Sequence, residues 1–102
     1  MTGKHVRIGS RDFVTVSPRT SVVRAGELMD NYSVDQALVL EGDDLVGTVT
    51  YDAVDRARQR AERENMEPEE VLTEDVMMEV EELNEEMREA IAKGLRDAER
   101  QF

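Results

Sequence analysis

Two apolar periods alternate along this chain, and their order leaves few architectures open. Asp12 to Val16 (DFVTV) alternates with β-branched content, the pattern of a half-buried strand. Ser17, Pro18, Arg19 and Thr20 follow as a turn whose hydroxyls suit a helix N-cap. From Ser21 to Tyr32 the apolar residues Val22, Ala25, Leu28, Met29 and Tyr32 fall on one helical stripe. Gly26 sits inside that stripe at a cost of roughly 1 kcal/mol relative to Ala, which points to close packing against a neighbouring backbone. Val34 to Leu40 ends in a continuous apolar run, as a strand covered on both faces does. Glu41, Gly42, Asp43 and Asp44 form a tight hairpin connection, and Leu45 to Thr50 is its partner strand. Tyr51 to about Glu64 then reads as a second helix, with Val54, Ala57 and Ala61 facing inward and Thr50 as N-cap. The expectation is an α+β domain in the order strand, helix, strand, strand, helix. Upstream, Lys4 to Ile8 alternates polar with apolar and reads as a short edge strand, broken by Gly9 and Ser10.

Beyond residue 64 the pattern changes. Pro68 suits the first turn of a new helix, and Glu67, Glu69 and Glu70 complement its positive end. From Val76 the apolar positions are Val80, Leu83, Met87, Ile91, Leu95, Ala98 and Phe102, spaced by threes and fours as one continuous helical face. A small domain has too little surface to cover so long a stripe. Leu83, Met87, Ile91 and Leu95 are therefore expected at an interface. The organisation expected is a domain over residues 1–66, with its core in 12–64, and a C-terminal amphipathic helical extension over 67–102.

A chain of 102 residues has room for one domain. The absence of cysteine excludes disulfides, thiolate metal sites and Cys nucleophiles. His5 is the only histidine, so no His cluster or His dyad exists, and its place near the terminus predicts a surface residue. No apolar run approaches the ~18–20 residues of a membrane span, and the N-terminus has no signal-type apolar region. A soluble, cytoplasmic chain is expected. Twenty-four acidic residues against thirteen basic ones give a net charge of −11, with Lys4 and Lys93 as the only lysines. Acidic excess with arginine favoured over lysine resembles proteins of salt-loving organisms, although an acidic C-terminal helix in an ordinary protein gives the same balance. Either origin argues against nucleic acid or anionic lipid as partner. No catalytic constellation emerges, because chance carboxylate pairs are expected on so acidic a surface. Gly42 and Gly47 are isolated and lack the lysine of a phosphate loop. The 41–44 turn has too few ligands for a dedicated Ca²⁺ loop, so no metal site is expected.

The segment from Phe13 to Met29 (FVTVSPRTSVVRAGELM) resembles the opening of a CBS domain, the module named after cystathionine β-synthase. Val34 to Leu40 resembles its middle strand, and Leu45 to Thr50 (LVGTVT) its closing strand, where a Thr leads into the last helix. The likeness covers residues 12–64. It implies a CBS-type β-α-β-β-α fold that usually occurs in tandem pairs, with clefts for adenosine-containing ligands such as AMP, ATP or S-adenosylmethionine, and a regulatory role toward an attached or partner protein. Glu74 to Met78 resembles the lead-in to a second repeat, but no second closing strand follows. A pair would then form between two chains as a homodimer, or with a regulated enzyme or transporter. One repeat is also expected to leave bare the apolar sheet face that a tandem copy covers.

The resemblance also implies site residues. In nucleotide-binding members, an Asp three residues after the closing-strand Thr binds the ribose hydroxyls; here that position is Ala53. Asp52 lies one place earlier, about 100° around the helix, and either reaches the ribose or serves the helix macrodipole. Thr50 either contacts ribose or phosphate or acts only as N-cap. Arg56 falls where a phosphate-contacting basic residue often sits; otherwise it joins Arg58, Arg60 and Arg63 in a solvated face balanced by Asp55, Glu62 and Glu64. Thr15 and Ala37 complete the candidate ligand-binding set. No cofactor is required. Two functions follow from these readings: a dimeric sensor of an adenosine nucleotide, and a pure association module that binds no nucleotide.

Overall fold

The computed structural model of the chain describes residues 3–8, 10–42, 44–82, 85, 86, 88, 89 and 93. Strand β1 (His5–Ile8) leads into β2 (Arg11–Val16), and helix α1 (Val22–Asn31) carries the chain over to β3 (Gln36–Glu41). A hairpin with Gly42 at φ 62° turns β3 into β4 (Asp44–Thr50), which runs directly into α2 (Tyr51–Arg63). A two-residue strand, β5 (Met78–Glu79), completes a mixed five-stranded sheet in the order β1-β2-β3-β4-β5. Only the β2–β3 pair is parallel, and α1 supplies the crossover connection that a parallel pair needs. The central elements therefore match the α+β expectation, β1 is the edge strand expected over Lys4 to Ile8, and β5 is a strand the sequence reading lacked.

Helix α2 begins at the cap expected for it, Thr50, whereas α1 is capped by Ser21, one residue past the turn expected to supply the hydroxyl. Ser21 Oγ accepts the Arg24 N–H at 3.1 Å, and Thr50 Oγ1 accepts the Ala53 N–H at 3.1 Å. One sheet face presents Val14, Val16, Ala37, Val39 and Val49 to Val22, Ala25, Leu28 and Met29 of α1 and to Val54 and Ala57 of α2. Burying each larger side chain in this layer contributes about 1.5–3 kcal/mol. The close approach at Gly26 is to a side chain, not to a backbone: a Cβ there would lie 3.2 Å from Val54 Cγ1. Tyr32, placed on the α1 stripe by its spacing, lies just past the helix end instead. It is 45% exposed, and its ring stacks on His5 at 5.5 Å.

The other sheet face departs from expectation, because it is not bare. Phe13 and Leu38 are buried there, with Ile8, Leu45 and Val80 packed against them. Thr15 and Thr48, which share this face by alternation, are buried as well.

The long helix expected from Val76 does not form over residues 76–82, and no long helix is present among the described residues of this segment. Short 3-10 turns at Pro68–Glu70, Thr73–Asp75 and Val80–Glu82 flank β5 instead. Pro68 does occupy a first-turn position, but of a 3-10 turn. Tertiary contacts override the helical period here. Val22 N–H donates to Val71 O at 2.9 Å, and Glu74 N–H donates to Pro18 O at 3.0 Å. The buried Thr73 hydroxyl donates to Thr20 O at 2.6 Å. Val76 and Met77 then pack on the core, and Met78 and Glu79 pair with Thr48 and Gly47 of β4. The expected interface residues Leu83, Met87, Ile91 and Leu95 lie outside the described residues.

Candidate ligand cleft

The junction of β4 with α2 is where the chain gathers its polar side chains. Thr50 ends β4 opposite Gln36, the first residue of β3. The next residue, Tyr51, is tied to the segment that follows α1 in two ways. Its N–H donates to Asp35 O at 2.9 Å, and its hydroxyl donates to Asp30 Oδ2 at 3.3 Å. Ser33, at φ 55°, turns that segment back toward β3. The start of α2 and the end of α1 thereby form two walls above the β3–β4 junction.

Beside the start of α2 lies an open depression of about 440 Å³, lined by Arg11, Asp35, Gln36, Thr50, Tyr51, Asp52 and Asp55. A second depression, of about 720 Å³, adjoins it through Arg11, Asp35, Gln36 and Tyr51, and adds Asp12, Asp30, Ser33 and Val34 over a floor of Met29. The combined lining is acidic, with five aspartates against Arg11. The hydrogen bond to the Asp30 carboxylate, and then that group's charge, hold the Tyr51 hydroxyl above the ordinary tyrosine pKa.

Three of the five candidate ligand residues come together here. Thr50 and Asp52 line the cleft, and Arg56 Nη2 lies 3.0 Å from Asp52 Oδ2. Arg56 is thus held beside the cleft by a carboxylate, one turn along α2. Ala53, three residues after Thr50, is half-buried against the core. The other two candidates lie elsewhere. Ala37 is fully buried between the sheet and the helices. Thr15 is buried in β2, where its Oγ1 accepts the Lys4 N–H at 3.2 Å. Arg11, Asp30, Asp35, Gln36 and Tyr51 were not foreseen as site residues. The one local signal was the polar Asp35–Gln36 step that opens an otherwise apolar strand.

Among the described residues no group of three or more His, Cys, Asp or Glu side chains is placed to hold a metal ion, and no helix is long and apolar enough to cross a membrane.

The fold, a mixed sheet with two helices on one face, is that of a class of small α+β modules. The sequence model of the CBS domain matches residues 6–60, and the chain belongs to that family. Its fold is similar to the crystal structure of a cystathionine beta-synthase domain protein fused to a Zn-ribbon-like domain. That match has a TM-score of 0.55 and 25% identity, covering 71% of this chain and 99% of the other. It is also similar to an uncharacterized conserved protein from Pyrococcus horikoshii, with a TM-score of 0.53 and 25% identity. That match covers 67% of this chain and 49% of the archaeal one, so the chain spans about half that protein's length. No curated protein matches the chain.

Proposed function

We propose that the chain is a non-catalytic regulatory module that acts as a homodimer and senses an adenosine-containing ligand of the AMP, ATP or S-adenosylmethionine type. The observation that carries this reading is the open cleft at the N-terminus of α2, with Thr50 and Asp52 on its wall and Tyr51 between them. CBS domains are generally regulatory ligand-binding modules, and the resemblance matches Thr50 to the closing-strand Thr that it implies contacts ligand. The homodimer reading rests on there being one repeat where the family usually pairs two. Calorimetric titration of the full chain with AMP, ATP and S-adenosylmethionine, at low and high salt, tests the sensing role. Saturable binding of at least one compound, weakened by Thr50→Ala, is expected.

A second reading is an association module that binds no nucleotide. Ala53 at the ribose position and the engagement of Arg56 by Asp52 favour it. A dimeric mass by light scattering, with no heat from any of the three compounds, would establish it over the first.

A further inference from the structure

We propose that the second sheet face is closed by the chain's own C-terminal segment, the stretch that begins at Leu83, which takes the place of a second repeat. The proposal goes beyond the sensing role and holds whether or not the cleft takes a ligand. Strand register puts Val6 opposite Phe13, Thr15 beside Leu38, and Leu38 opposite Thr48, all on this face. Each of these side chains is at most 5% exposed in a single chain, and Leu38 is fully buried. Val6 in β1 and Thr48 in β4 sit three strand spacings apart, about 14 Å. Ile8 and Leu45 lie in the sheet itself, so Val80 is the one described member of this cluster that can lie over it. One valine cannot roof a face of that width. The cover is therefore more of the same chain.

The sequence supplies a matching piece at the right place. Val80 packs against Phe13 and Leu38, and Leu83, Met87, Ile91 and Leu95 follow it at intervals of four. Of the residues outside the described set, those before Leu83 offer one apolar side chain, Met1, against the four of this stripe. At the helical period, Glu85, Glu89 and Lys93 fall opposite Leu83, Met87 and Ile91, and all three are exposed. Arg88 is half-buried with its Nε shielded from solvent, so the chain here rests against protein. An open sheet face and a free apolar stripe are each unfavourable in water, and a single contact removes both. A homodimer then meets through the helices or a sheet edge, with this face closed in each copy.

The test is NMR on the full chain. Nuclear Overhauser contacts from the Leu38 methyls or the Phe13 ring to Leu83, Met87 or Ile91 are expected. In a mixture of isotope-labelled and unlabelled chains, filtered spectra should assign those contacts to one chain. Contacts found only between copies would overturn the proposal and make a second copy the cover. Absence of any such contact would overturn it outright. A variant reads the same closure in another way. Leu83→Asp combined with Met87→Asp should open the face and raise amide hydrogen exchange at Phe13, Thr15, Leu38 and Thr48, by about tenfold more than across α1. A folded double variant whose exchange at those strand residues is unchanged would contradict the proposal. Should the variant fail to fold, the contacts in the native chain decide alone.

Discussion

Tyr51 joins the two walls of the cleft through one hydroxyl. Because Asp30 accepts its hydrogen, the folded chain holds that proton more tightly than the unfolded chain does. The folded pKa is raised, so the contact's contribution is complete below the ordinary tyrosine pKa and is lost as pH rises through the raised value. The ultraviolet difference titration between the native chain and Tyr51→Phe should therefore show a tyrosinate midpoint above the ordinary value. A midpoint at or below it would contradict the Asp30 contact. Thr73 offers a second test at this scale. Thr73→Val removes the buried hydroxyl's bond to Thr20 O but leaves that carbonyl its bond from the Thr73 N–H at 2.8 Å. A loss of about 1 kcal/mol in denaturant unfolding is expected. The cap at Thr50 was legible in the sequence because capping is local, and the α1 cap was legible to within a residue, at Ser21 instead of the preceding turn. Tyr51 was not, since its partner lies twenty-one positions earlier. The Asp52–Arg56 spacing of four was present in the sequence, but it left open whether Arg56 faces a phosphate or the carboxylate it meets.

Among the elements, β5 depends on a missing side chain. A Cβ at Gly47 would lie 2.6 Å from the Met78 carbonyl oxygen and 2.7 Å from Met77 Sδ. The flexible methionine can swing aside, but the carbonyl belongs to the paired strand. Gly47→Ala is expected to cost about 1–3 kcal/mol and to raise amide hydrogen exchange at residues 77–79, while α1 and α2 stay protected. Unchanged protection across β5 would refute this role for Gly47. The segments from β2 to α2 were legible because their periods, turns and caps agree, and the observed ends differ from expectation by one or two residues. Over residues 65–82 the helical reading fails for a physical reason. Its threes-and-fours spacing suits a helix, yet residues 71–79 find backbone partners at Val22, Thr20, Pro18 and the open edge of β4. Local periodicity carries no information about an unpaired edge thirty residues earlier.

For the molecule as a whole, charge dominates. Exposed ion pairs such as Arg56–Asp52 and Arg24–Glu27 each join one charge of either sign, so the net −11 stands in full as repulsion across a small domain. Screening that repulsion should raise the thermal midpoint between low salt and 1 M KCl, and a midpoint that falls would contradict the charge argument. Dimerisation, if it pairs two repeats as proposed, should appear in light scattering as a mass twice 11.6 kDa. The composition pointed to the salt response directly, whereas the buried second sheet face was hidden from the sequence. Its cover comes partly from Ile8 and Val80, which precede and follow the recognisable repeat. The central claim, that the β4–α2 junction is a ligand cleft, is tested most directly by an amide NMR titration of the full chain with S-adenosylmethionine. The account predicts saturable shifts concentrated at Asp35, Gln36, Thr50, Tyr51 and Asp52. A spectrum that does not change, or shifts confined to residues away from that junction, would contradict it.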